Sequence, residues 1–107
     1  MVKDFKIIKF SDFGEVLATR RLARKIREEI ILSSISDFQI VIFDFSQVNL
    51  ITHSFADECF GNILLSLDFD QFKKRTTFTN YNNKIKIQIL NSINQNIKLR
   101  INKGLNI

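Results

Sequence analysis

A chain of 107 residues, 45% of them hydrophobic, can bury one core of ordinary size and is too short for two. Its longest apolar stretches, such as Ile40-Val41-Ile42-Phe43, are broken by charge far short of the roughly 20 residues that span a bilayer, so no membrane span is expected. The net charge of +5 is unevenly spread: residues 1–70 carry eight Lys/Arg and all eleven Asp/Glu, whereas residues 71–107 carry eight Lys/Arg and no acid. Such a basic block can attract nucleic acid, an anionic membrane or an acidic protein face, and its sign does not choose among them. It lacks the interleaved aromatics of single-strand binders, since Phe78 and Tyr81 are the only aromatics after Phe72.

Met1-Val2-Lys3-Asp4-Phe5-Lys6 scatters charge among apolar residues and has no continuous apolar core of the kind a secretory signal needs, so a cytosolic location is the default expectation. The single cysteine, Cys59, cannot close an internal disulfide.

In chain order, Phe5-Lys6-Ile7-Ile8-Lys9-Phe10 is aromatic and β-branched and precedes the turn-like Ser11-Asp12-Phe13-Gly14, which predicts a first strand. Ala18, Leu22, Ile26 and Ile30 then recur every fourth residue, and an amphipathic helix is expected over 17–32. Gln39 to Phe45 is nearly continuously apolar, the pattern of a central parallel strand buried on both faces. After Ser46-Gln47 and Val48-Asn49-Leu50-Ile51, the positions Phe55, Cys59, Ile63 and Leu67 step by four, predicting a helix over 54–67 with Phe55 and Ile63 toward the sheet. Asp68 to Lys74 breaks the pattern, and Thr76-Thr77-Phe78-Thr79 reads as a third strand closed by Asn80-Tyr81-Asn82-Asn83.

Beyond residue 83 two periods compete. Lys84 to Ile89 alternates like a strand, while Ile85, Ile89, Ile93 and Ile97 mark one helical face, and the longer pattern predicts a helix over 83–95. Residues 1–96 are thus expected to form the domain. Residues 97–107 form a basic tail whose alternation, Ile97 to Ile101, leaves open an extra edge strand, a partner-binding strand or a frayed end. Strands joined through helices must run parallel, so the expected fold is α/β: a single small domain with a mainly parallel sheet of 3–4 strands and three helices.

These residues carry a resemblance. Phe13-Gly14, Leu17-Ala18-Thr19-Arg20 and Ala23 to Glu29, then Ile42-Phe43-Asp44-Phe45-Ser46-Gln47-Val48 and Ile51-Thr52-His53-Ser54-Phe55-Ala56-Asp57-Glu58-Cys59-Phe60-Gly61, with Phe72 to Phe78 after them, resemble the bacterial STAS-like family over about residues 13–90. That family is similar to anti-anti-sigma factors, small domains whose strand-to-helix junction binds a switch kinase and is phosphorylated on serine. The resemblance implies a non-catalytic, protein-binding regulatory domain of bacterial signalling, with a histidine-kinase-like ATPase as partner. Aligned on Asp44-Phe45-Ser46-x-Val48, the phosphorylated serine position falls on His53, between Thr52 and Ser54. The competing class is a basic nucleic-acid-binding accessory protein.

The junction is also the most informative chemistry in the chain. Ser54 stands three residues before Asp57 at the start of an apolar helical run, which predicts Ser54 as the N-cap in a variant capping box, with Asp57 and Glu58 in the first turn. The functional alternative makes Thr52, His53, Ser54, Asp57 and Glu58 a phospho-acceptor or partner-binding site, flanked by Arg20 reading an acidic or phosphorylated partner. The plainer expectation for Arg20 is a surface pair with an acid such as Glu15. No catalytic set is indicated: His53 beside Ser54 has neither a third group nor an oxyanion motif. One histidine and one cysteine give no metal spacing, and the isolated glycines form no nucleotide loop, so neither a metal nor a cofactor is expected.

Overall fold

A computed structural model describes the backbone of residues 3–105 and the side chains of residues 4–99. The main sheet has three parallel strands in the order β1-β3-β5: β1 is Lys3–Lys9, β3 is Phe38–Asp44 and β5 is Thr76–Thr79. β3 lies between the other two, as its apolar run predicts, with Phe5 opposite Ile40 and Phe43 opposite Phe78. A second, two-stranded parallel sheet joins β2 (Val16–Leu17) to β4 (Leu50–Ile51). The expected parallel α/β architecture is what forms.

One face of the main sheet makes the core. Ile8, Val41, Phe43 and Phe78 face Phe10, Phe45, Phe55 and Phe60, all of these buried except the half-buried Phe78. Phe10 stacks on Phe45 at 4.7 Å, while Phe60 reaches Phe43 at 5.4 Å and Phe78 at 5.2 Å, so offset and edge ring contacts tie both ends of the sheet to the helical layer. The other face differs from expectation. Ile40 and Ile42 are only half-buried and Phe5 and Ile7 are exposed, so among the described residues helices cover β3 on one face alone. An apolar run reports the hydrophobicity of both faces of a strand and says nothing of what arrives to cover them.

The first helical rod runs from Arg20 to Asp37 in three parts: α1 (Arg20–Ile26), a π-helical turn (Arg27–Ile31) and α2 (Leu32–Asp37). The π turn inserts one residue into the phase. The buried positions therefore step from Ile26 to Ile31 and then Ile35, and Ile30, expected on the core side, is only half-buried. α3 (His53–Cys59) stops at Phe60 and gives way to a 3₁₀ stretch, Gly61–Leu65, so the helix expected over 54–67 is broken in two. Phe55 and Ile63 are nevertheless both fully buried.

α4 (Phe69–Arg75), capped by Asp68 and anchored by Phe72, fills the stretch where no helical pattern is visible. α5 runs from Asn83 to Leu105, so residues 97–105 continue the helix and do not form a strand. Asn82 caps its start, accepting from the amide of Ile85 at 2.9 Å. No helix among the described residues is long and apolar enough to cross a membrane.

Candidate functional site

Beyond the carboxyl ends of β1 and β3, the short β2–β4 ladder lays two chain segments side by side just before each enters a helix. Val16 pairs with Leu50 and Leu17 with Ile51, and the amide of Thr52 donates to Leu17 O at 3.0 Å. α1 and α3 therefore start next to each other, each under a threonine cap. Thr19 Oγ1 accepts from the amide of Leu22 at 3.2 Å, and Thr52 Oγ1 accepts from that of Phe55 at 3.1 Å. The Thr52 hydroxyl also donates to Ala18 O at 2.7 Å, which locks the two helix starts together.

The N-cap of α3 is thus Thr52, two residues before the expected Ser54, and the extended backbone of Thr52 is what presents its hydroxyl to the Phe55 amide. His53 opens the helix and is exposed; Ser54 is half-buried, and neither side chain makes a hydrogen bond within the described residues. Asp57 and Glu58 then fall in the second turn and not the first, where they face α1 instead of the helix's own amides.

There they meet a row of arginines. Arg20, Arg24 and Arg27 lie on one face of the rod at spacings of four and three. Arg20 Nη1 is 2.9 Å from Asp57 Oδ2 and 4.0 Å from Glu58 Oε1, so its partner is Asp57 and not Glu15. Arg24 Nη2 lies 3.7 Å from Glu58 Oε1. Arg27 Nη1 is 2.6 Å from Glu58 Oε2 and also donates to the Glu58 carbonyl, while Asn62 Nδ2 donates to the same Oε2 at 2.9 Å. Burial alone would raise the Glu58 carboxyl, but hydrogen bonds from Arg27 and Asn62 and the charges of Arg27 and Arg24 outweigh it and hold the group below its ordinary range. Glu58 is a buried anchor between helices; Arg20 is its half-exposed outer neighbour.

The sequence places Arg20, Thr52, His53, Ser54, Asp57 and Glu58 together, and the structure brings all six to one end of the domain. What sequence reading misses is Arg24 and Arg27 as partners of Glu58. Their spacing to Arg20 on one helix and the adjacent acids at 57 and 58 were the available signals. A depression of about 540 Å³ runs along the first helical rod between Arg21, Arg24 and Lys25 of α1 and the acids Glu28 and Glu29 of the π turn.

Other chemistry is absorbed by the fold. Asp44 accepts from Ser46 N at 2.9 Å, Ser46 Oγ at 2.7 Å and Asn80 Nδ2 at 2.9 Å, which ties the ends of β3 and β5; the Asn80 and Ser46 bonds hold its carboxyl below the usual range. Arg75 donates to the carbonyls of Ile35, Phe38 and Gln39, closing the end of α2, so this member of the basic block is structural. Burial pushes the Cys59 thiol well up, leaving an inert side chain. No group of three His, Cys, Asp or Glu among the described residues is arranged to hold a metal.

A parallel α/β sheet packed by helices, with two adjoining helix starts at its carboxyl end, is the architecture expected of a STAS-like domain. The chain belongs to the family described as a STAS-like domain of unknown function (DUF4325), whose model matches residues 23–86. Thr52 to Glu58 lie inside the matched segment and Arg20 just before it. No curated protein and no solved structure matches the chain significantly.

Proposed function

We propose that this domain is a non-catalytic regulatory module of bacterial signalling that binds another protein through the paired helix starts. The observation that carries the reading is the pairing itself. Thr52 bonds both helix starts and the Arg–acid row fastens α1 to α3, while the side chains of the exposed His53 and the half-buried Ser54 make no hydrogen bond among the described residues. A rigid platform presenting unengaged polar groups is suited to docking, because little ordering entropy is lost on binding. The resemblance of the junction to that of anti-anti-sigma factors is what suggests a histidine-kinase-like ATPase as the partner.

Of the two flanking hydroxyls, Ser54 is the better phospho-acceptor, because that of Thr52 already donates to Ala18 and accepts from Phe55. Titration of the domain with a histidine-kinase-like ATPase, sought first among the products of neighbouring genes, tests the reading. Arg20→Ala and Ser54→Asp should weaken binding and Ser54→Ala should leave it nearly intact; unchanged affinity in all three folded variants would place the interface elsewhere.

A second reading, nucleic-acid binding, is favoured by one observation: Lys84, Lys86 and Lys98 are exposed along α5 in a segment with no acid. Retention on duplex or single-stranded DNA that falls steeply as salt rises would support it.

A further inference from the structure

On the face of the main sheet that no helix covers, exposure is graded by strand. Ile40 and Ile42 of β3 are half-buried, whereas their register partners on β1, Phe5 and Ile7, are 57% and 47% exposed. The cause is lateral. β3 has a strand on each side and β1 on one side only, so alternate N–H and C=O groups of β1 and one flank of its side chains meet no other strand among the described residues. One more strand beside β1 would bring Phe5 and Ile7 to the burial that β3 already has.

β1 is complementary to itself. Asp4 and Lys6 flank Phe5 and point to the opposite face from it; both are exposed, and neither enters an ion pair among the described residues. With a second β1 laid antiparallel and Phe5 opposite Phe5, each Asp4 falls opposite Lys6 of the other copy. Two symmetric opposite-charge pairs and one aromatic pair result, all of the kind that stabilise adjacent strands. Other registers lack this. Centring on Lys6 sets lysine against lysine, centring on Asp4 sets carboxylate against carboxylate, and centring on Ile7 brings no opposite charges together. A slip of one residue turns Phe5 to the wrong face.

We propose that a second copy of this chain docks along the free edge of β1, antiparallel and centred on Phe5, and joins the two three-stranded sheets into one continuous sheet through a two-fold axis. This surface is separate from the paired helix starts, so a dimer can leave that platform open.

Sedimentation or light scattering of the full chain over a range of concentrations tests the proposal, with circular dichroism to confirm folding. The wild type should dimerise. Asp4→Lys and Lys6→Asp should each weaken the dimer on the order of tenfold, and the double variant Asp4→Lys/Lys6→Asp should regain it, because the pairs re-form with their signs exchanged. Should a charge variant misfold, Phe5→Cys decides: opposed residues lie within disulfide reach, so mild oxidation should link the copies at that position. A wild type that stays monomeric, a double variant no better than the singles, or a dimer lost in Ile40→Asp but indifferent to the β1 variants would overturn it.

Discussion

Arg27 and Glu58 meet across the contact of the first helical rod with α3, Nη1 to Oε2 at 2.6 Å, with side chains only 11% and 7% exposed. Arg27 is the first residue of the π turn, so the turn that rephases the buried positions of the rod also begins at the cation that reaches Glu58.

Removing one partner of this pair leaves a buried charge. Arg27→Met should destabilise the domain by about 3 kcal/mol, the low end of the range for a broken buried pair, since Arg24 and Asn62 still face the carboxylate. Urea denaturation midpoints check it. The same pair sets an acid limb. The folded-state pKa of Glu58 lies below its ordinary 4.5, so its contribution is present above that value and is lost as pH falls through the lowered pKa. Asp44 adds to the same limb, with an ordinary value of 3.8. Stability measured from neutral pH downward should fall below about pH 5, and Glu58→Gln should flatten part of that fall.

Thr52 and Ser54 should separate cleanly on stability. Thr52→Ala removes a cap and a bond between helix starts and should cost about 1–2 kcal/mol, whereas Ser54→Ala should change stability by less than about 0.5 kcal/mol. Thermal unfolding of the two variants measures this, and a larger loss at Ser54 would return the cap to that residue.

Gly61 lets α5 approach the end of α3. A Cβ there would overlap Asn96 Nδ2 and lie 3.2 Å from Asp57 Oδ1, and Asn96 itself donates to Asp57 at 3.3 Å. Gly61→Ala should cost about 1–2 kcal/mol, an overpacking penalty moderated because the end of a side chain can move. Combining it with Asn96→Ala should cost less than the two single losses added, and a double-mutant cycle in urea reads the difference.

Phe55 and Ile63 are both fully buried beneath the sheet, and replacing either with alanine should cost roughly 2–5 kcal/mol. Cys59 lies among the same buried residues with its thiol pKa raised, so a thiol reagent should label it only as fast as the domain opens. Labelling in the Phe55→Ala variant should therefore be faster than in the wild type by about the change in the unfolding equilibrium.

The sequence alone determined the order of the three main strands and the parallel sense of their sheet. β-branched runs at β1, β3 and β5, separated by four-residue apolar steps, leave few other ways to bury one core. The segment Thr52 to Glu58, with Arg20 beside it, was legible for the same local reason: a cluster of hydroxyls and acids where strand passes into helix. Elements stabilised mainly from a distance were not legible. The β2–β4 ladder is two residues long on each strand, too short to show an alternation, and α4 has one buried side chain, Phe72, too few to print a period.

Tertiary structure also decided each charge's partner. Arg20, Arg24 and Arg27 look like a solvated face until α3 is laid against them, because Asp57 and Glu58 lie more than thirty residues away in sequence and pairing depends on where packing sets two helices. At the ambiguous end of the chain, alternating isoleucines from Lys84 to Ile89 suit a strand as well, but the longer helical pattern predicts the helix that forms, and Ile85, Ile89 and Ile93 are buried on one side of α5. Which face of a strand is covered is likewise a property of the assembled layers, which is why the apolar run at β3 did not foretell the bare face shared by Phe5, Ile7, Ile40 and Ile42.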